Sequence, residues 1–210
     1  MSKLPKKTGR PRAYDPDQAL QQARCVFWDG GFSSTSLDDI SAATSMNRPS
    51  LYGAFGDKEA LYLKTLERYR DESLGALRDA LSPDRPLKEG LHLVYSRSLD
   101  TYLAGERSAR GCFLIGTATV EAVNHPEIRA ILSGSLDAFE GVIENRLQIA
   151  VERGELERQT DTVALSRFLS VVMHSLAVRA RAGQSREVLD DIARSAVDLV
   201  CGSKTRAETR

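Results

Sequence analysis

Apolar side chains recur at helical spacing along almost the whole chain, and glycine and proline fall where that spacing breaks. Leu20, Ala23 and Phe27 form a first stripe, opened by Asp15 as a cap with Pro16 at the first helical position and closed by Gly30-Gly31. Thr35-Ser36 opens a second helix, Leu37 to about Thr44, with Asp38 and Asp39 where a capping box wants an acid. After the turn "SMN" the pattern predicts a third helix, Arg48 to about Ala54, with Asn47 as its cap and Pro49 in its first turn. Asp57 then caps a long helix running to about Leu81, where Pro83 and Pro86 break the chain.

Further helices are predicted near 87–104, 111–122, 126–153, 161–182 and 185–201, with joints at His125-Pro126, Gly154 and Gly183. No alternating strand pattern and no internal repeat is present. The expected fold is all-α: an N-terminal helix-turn-helix unit, then a helical regulatory and dimerisation body. The boundaries read as a basic arm over 1–13, the helix-turn-helix unit over 14–56, the body over 57–202 with 57–81 as connecting helix, and a loose tail over 203–210.

Composition changes little in this picture. The 210 residues are 41% apolar with zero formal net charge, so overall charge points to neither nucleic acid nor membrane. The distribution is uneven: Lys3, Lys6, Lys7, Arg10 and Arg12 precede any acid, so the remainder is net acidic. Cys25, Cys112 and Cys201 lie far apart, which fits a reducing cytoplasm better than a disulfide framework. The most apolar run, Phe168 to Val178, is about half of the ~20 residues that cross a bilayer. These features read as a cytoplasmic protein, in a bacterium one associated with the nucleoid.

The short stretch "SMNRPSLYGAFGDK" carries the chemistry. Two short helices joined by a three-residue turn make a helix-turn-helix, which places its second helix in the major groove of double-stranded DNA. Arg48 suits guanine O6 and N7, and Ser50 is short enough to let the helix approach. Tyr52 and Lys58 suit phosphate oxygens, and Thr35 and Ser36 lie at a helix N-terminus whose free N–H groups favour a phosphate. Asn47 and Pro49 complete the candidate DNA-binding set, whereas Leu51 and Phe55 should bury inward. The same pattern could also be a solvated face of an ordinary bundle.

Residues 14 to 62, with "ALQQARCVFWDGGFSSTSLDDISAATSMNRPSLYGAFGDKEALY", resemble the DNA-binding domain of the TetR/AcrR family of transcriptional regulators. The matching positions include Gly31-Phe32, Thr35-Ser36-Leu37, Ile40, Ser50-Leu51-Tyr52, Phe55, Lys58 and Leu61, in order and without a gap. The resemblance implies a homodimer that represses from a palindromic operator and is released by a small-molecule effector. The alternative is an architectural or partner-dependent DNA-binding protein of the same fold. "GRPR" before the first helix is similar to arms that lay arginines, here Arg10 and Arg12, in the minor groove, and it also reads as a solubilising tail.

The stripe along 126–153, which includes Ile128, Ile131, Leu132, Phe139, Val142 and Leu147, is too wide for packing on one surface, and 168–178 is apolar nearly all round. Together these two helices suggest a four-helix dimer interface, the alternative being a thick core within one chain. Polar and aromatic side chains within apolar stretches are the candidates for an effector chamber: His92, Tyr95, Tyr102, Phe113, Thr117 and His174. Cys112, beside Gly111 at a predicted helix start, has two readings, a dipole-stabilised thiolate that senses oxidants or electrophiles and a small apolar filler. No Gly-x-Ser-x-Gly elbow, phosphate-cradling loop, His-x-x-x-His or Cys-x-x-Cys spacing is present, so no enzyme, cofactor or metal is expected. A helical enzyme with its site assembled only in three dimensions is the third reading.

Overall fold

The computed structural model describes residues 15–105 and 109–202. All regular structure among them is helical: α1 (Pro16–Gly30), α2 (Leu37–Thr44), α3 (Arg48–Phe55), α4 (Lys58–Ala80), α5 (Leu87–Leu103), a π-helical turn (Leu114–Ala118), a single turn α6 (Thr119–Glu121), α7 (Pro126–Glu152), α8 (Thr162–Arg181) and α9 (Arg186–Cys201). Side-chain caps set the starts. Asp15 accepts from the Asp17 N–H at 2.9 Å, Asn47 from Ser50 at 2.9 Å and Asp57 from Ala60 at 2.8 Å. At α2 the capping box forms with aspartate: the Ser36 hydroxyl accepts from the Asp39 N–H at 3.2 Å, and Asp39 accepts from the Ser36 N–H at 2.8 Å.

One apolar cluster runs from α1 through α4 into the body. Its hinge is aromatic. Tyr62 of α4 packs 5.0 Å from Phe27 and 4.9 Å from Phe32, ring centre to ring centre, while Trp28 meets Tyr69 at 5.2 Å and Phe113 at 5.4 Å. Each of these rings is buried, so the three N-terminal helices are fastened to the body through α4 and the segment around Phe113.

The stretch expected to be a helix over 111–122 is different. Gly111 has φ of 66°, Phe113 begins the turn, and the centre is π-helical. Thr117 and Thr119 donate their hydroxyls to carbonyls four residues back, Phe113 at 2.7 Å and Ile115 at 2.6 Å, competing with the ordinary ladder. A side chain at Gly111 would meet the Ala177 carbonyl at 2.7 Å, so only glycine lets this segment lie against α8.

The wide stripe of the 126–153 helix packs within the chain. α7 lies against α4 on one side and α8 on the other, and this consumes its wide stripe. None of the exposed large apolar residues belongs to it. Apart from Tyr52 on α3 and Val120 and Val123 at α6, those among the described residues sit on α8 (Val163, Phe168, Val171, Val178) and α9 (Val188, Leu199), so α8 with α9 carries the larger free apolar face. α8 is also long and apolar enough to cross a membrane by length and composition, more than the 168–178 run suggests. Its inner side packs against α5, α7 and α9.

Candidate nucleic-acid interface

The turn between α2 and α3 is held from inside. Ser45 adopts the left-handed conformation at φ 54°, Met46 is buried, and the Ser41 hydroxyl donates to the Met46 carbonyl. Leu51 and Phe55 pack inward, as expected, and this turns Arg48, Pro49, Tyr52 and Gly53 outward while Ser50 is half-buried. Tyr52 is 50% exposed, a large apolar ring that nothing in the fold covers. The outer face of α3 therefore presents a cation, a phenol and two small residues, a shape that fits a groove.

Arg48 is not a loose side chain. Its Nε and Nη2 donate to the Asp38 carboxylate on α2 at 2.9 and 2.6 Å. These bonds hold the Asp38 carboxyl below its ordinary range and raise the guanidinium above its own. The pair leaves Nη1 and the outer edge of Nη2 free. Nothing in the sequence spacing pointed to Asp38, ten residues away on another helix.

Other expected contacts are engaged in building the unit. Thr35 is buried, and its hydroxyl donates to the Gly31 carbonyl at 2.6 Å, so only its backbone can face a phosphate. Ser36 is committed to the capping box, and its bonds to Asp39 lower that carboxyl. Asn47 is exposed, with its side-chain oxygen used as the α3 cap. The Lys58 ammonium donates to the carbonyls of Phe32 and Thr35 at 3.0 Å each and lies 4.4 Å from the centre of the Phe32 ring. It closes the α1–α2 turn onto the start of α4. Arg10 and Arg12 lie outside the described residues.

The unit is tied to the body by polar contacts as well as by rings. Ser33, in the α1–α2 turn, donates its backbone N–H at 3.2 Å and its hydroxyl at 2.8 Å to Glu121 of α6. The His125 ring stands 3.1 Å from Glu59 and edge-on to Phe32. Trp28 Nε1 donates to the Arg110 carbonyl at 3.3 Å, and Arg181 of α8 donates to the same oxygen at 3.1 Å.

Within the body, α4, α5, α7 and α8 surround a cavity of about 110 Å³. Tyr102 and His174, two of the expected chamber residues, line it. The other four do not. His92 lies one turn beyond Lys88, whose ammonium pairs with Asp198 at 2.7 Å, so it faces α9. Tyr95 spends its hydroxyl on the Leu169 carbonyl at 3.0 Å, Phe113 is enclosed by Trp28, Tyr62 and Tyr69, and Thr117 meets the Tyr62 hydroxyl at 2.6 Å. Cys112 also borders the cavity. Burial pushes its thiol up, outweighing the nearby backbone N–H groups, and Tyr69 donates to its sulfur at 3.6 Å. The apolar-filler reading of Cys112 fits this environment; a stabilised thiolate does not.

Both parts of the chain match known regulators. Residues 19–65 match the model of the bacterial regulatory proteins of the tetR family, and residues 94–196 match the tetracyclin repressor-like C-terminal domain. The HTH-type transcriptional repressor ComR of Escherichia coli K12 is 29% identical over 194 residues, 92% of each chain. BdcR, another repressor of that strain, is 31% identical over 183 residues, 86% of each chain. A solved structure of a cysteine mutant of the TetR-family regulator CifR, in complex with a 26-base-pair operator, superposes with a TM-score of 0.79 at 30% identity, covering 91% of this chain and all of that one. With two family models spanning its two parts and relatives aligned over nearly its whole length, the chain belongs to the TetR family of bacterial regulatory proteins.

Proposed function

We propose that this protein is a transcriptional repressor of the bacterial cytoplasm that binds a two-fold-symmetric DNA operator as a homodimer and leaves it when a small molecule occupies the body. The observation that carries the reading is the outer face of α3, where Arg48, Pro49 and Tyr52 stand exposed on a rigidly capped helix-turn-helix. Residues 15–56 are the DNA-binding unit, with α4 as the connection to the regulatory body. Arg48 and Ser50 approach base edges. Tyr52, Asn47 and the backbone at Thr35 and Ser36 meet phosphates, and Arg10 and Arg12 reach the neighbouring minor groove. The apolar face on α8 and α9 supports the dimer, because a closed two-fold pairing covers it on both chains at once.

Selection of bound duplexes from random DNA tests this directly. The expected product is an inverted repeat whose half-site centres lie about one helical turn, ~34–36 Å, or a multiple of it apart. Recovery of a single asymmetric half-site bound by one chain rejects it. Dimer binding to the repeat that no small molecule relieves would favour the partner-dependent architectural reading.

A further inference from the structure

The cavity has a chemistry of its own. Its walls are mainly apolar, with Leu77, Val94, Phe139 and Met173 among them. Among the described residues Arg97 is the one Arg, Lys, Asp or Glu that lines it, and its guanidinium is already paired with Asp79 at 2.6 Å, both side chains being substantially exposed. No carboxylate among the described residues lines the cavity. A charged ligand would therefore surrender its hydration and find no free counter-charge inside.

Polar capacity is nevertheless present. Among the described residues none hydrogen-bonds the His174 ring, although the ring borders the cavity and is largely enclosed. Burial alone lowers its pKa, so the imidazole is neutral near pH 7 and offers one donor and one acceptor nitrogen. Tyr102 lines the same space. A volume of about 110 Å³ is slightly below the ~150 Å³ of an engineered apolar cavity that takes benzene, so one six-membered ring is the natural size.

We propose that the effector is a neutral molecule of about one ring bearing a single hydroxyl or carbonyl oxygen, a phenol or its like, with the ring against Phe139 and Met173 and the oxygen at His174. The proposal rests on the effector reading given above and assigns the chemical class that the site takes. An uncharged ring satisfies the walls, and the oxygen supplies the partner that His174 lacks.

Calorimetry on the full-length protein at pH 7.5 distinguishes the possibilities, with phenol, toluene, benzoate and benzylamine as probes of nearly equal size. Phenol should bind at least about tenfold tighter than benzoate or benzylamine, because neither charge finds a partner. It should also bind tighter than toluene, and His174→Phe should erase that last difference while leaving toluene affinity in place. Val94→Trp, which fills the cavity, should abolish phenol binding in a protein that still melts cooperatively. Tighter binding of benzoate or benzylamine, binding of none of the four, or phenol binding that survives Val94→Trp overturns the assignment. Repeating the phenol titration with operator present separates the two levels: a changed affinity supports both, and an unchanged one upholds the ligand class while rejecting the effector reading.

Discussion

The Ser33 hydroxyl lies 2.8 Å from both carboxylate oxygens of Glu121, 88 residues further along the chain. The Ser33 N–H also points at that carboxylate, so one acid of the body receives two donors from the turn that precedes α2. Glu121→Ala should release the turn. A charge-assisted bond of this kind contributes about 1.5–3 kcal/mol, which predicts at least a tenfold faster hydrogen exchange at the Ser33 amide. Unchanged exchange there would mean that the contact holds nothing.

Arg48 and Asp38 predict a paired result. Arg48→Ala should cost roughly 1–3 kcal/mol on the operator and relax preference at one base position. Asp38→Ala should relax the same position, because the guanidinium loses the carboxylate that aims it, while binding to unrelated DNA stays equal or strengthens as a negative charge leaves the surface. Competition assays with operator and scrambled duplexes read both effects. Loss of affinity in equal measure for both duplexes would show that Arg48 touches backbone alone.

Lys58 carries an altered expectation. With its ammonium on two carbonyls and an aromatic face, Lys58→Ala should destabilise the fold by about 2 kcal/mol, allowing for partial exposure. In a chain of this length that corresponds to a melting point lower by roughly 4–8 °C. A melting point within about 1 °C of the parent, together with a salt slope lower by about one unit, would return Lys58 to the role of a phosphate contact.

The apolar face is tested by charge. Val171→Asp on α8 or Leu199→Asp on α9 places a carboxylate on residues that are 62% and 77% exposed in the single chain, so folding should tolerate either change. Sedimentation should then show monomers with sharply reduced operator binding. Dimers that persist with both substitutions would locate the interface elsewhere.

His174 gives stability a pH dependence of known sign. Its folded pKa is depressed by burial from an ordinary 6.5, so the unfolded chain binds more protons below that value. Its contribution is constant above about pH 6.5 and turns destabilising as pH falls further. Denaturant melts at pH 7.5 and 5.5 should differ less for His174→Phe than for the parent. An identical pH response would place the ring in water.

The helix-turn-helix was legible almost residue by residue, because caps and breakers are local: Asp15, Ser36, Asn47 and Asp57 each act within three positions of themselves. The cavity was legible only in part. A polar residue in an apolar stripe can face a void, a carbonyl or a neighbouring helix, and Tyr102 and His174 differ from Tyr95 and Thr117 only in what lies opposite. The free apolar face was not legible, because a wide apolar stripe looks the same whether two elements of one chain share it, as on α7, or a second chain does. Ser33 with Glu121 joins distant elements and Arg48 with Asp38 joins two consecutive helices, and nothing in the spacing of either pair announces it.

The π-helical turn at Leu114–Ala118 has a consequence for how this chain tolerates length changes. Such a turn holds one residue more than the α-helix it interrupts, so deleting a single residue there would restore the regular ladder. Because the wide turn absorbs the extra residue, later side chains of the segment would keep nearly their present phase, whereas a deletion inside the α-helical ladder of α7 would turn every later residue by about 100° around the axis. Glu121, which lies beyond the turn, would then still face Ser33. A deletion scan should therefore find single deletions within 114–118 tolerated with the Ser33–Glu121 contact intact, and single deletions in mid-α7 far more disruptive, so the wide turn is the place where this chain can change length without losing phase.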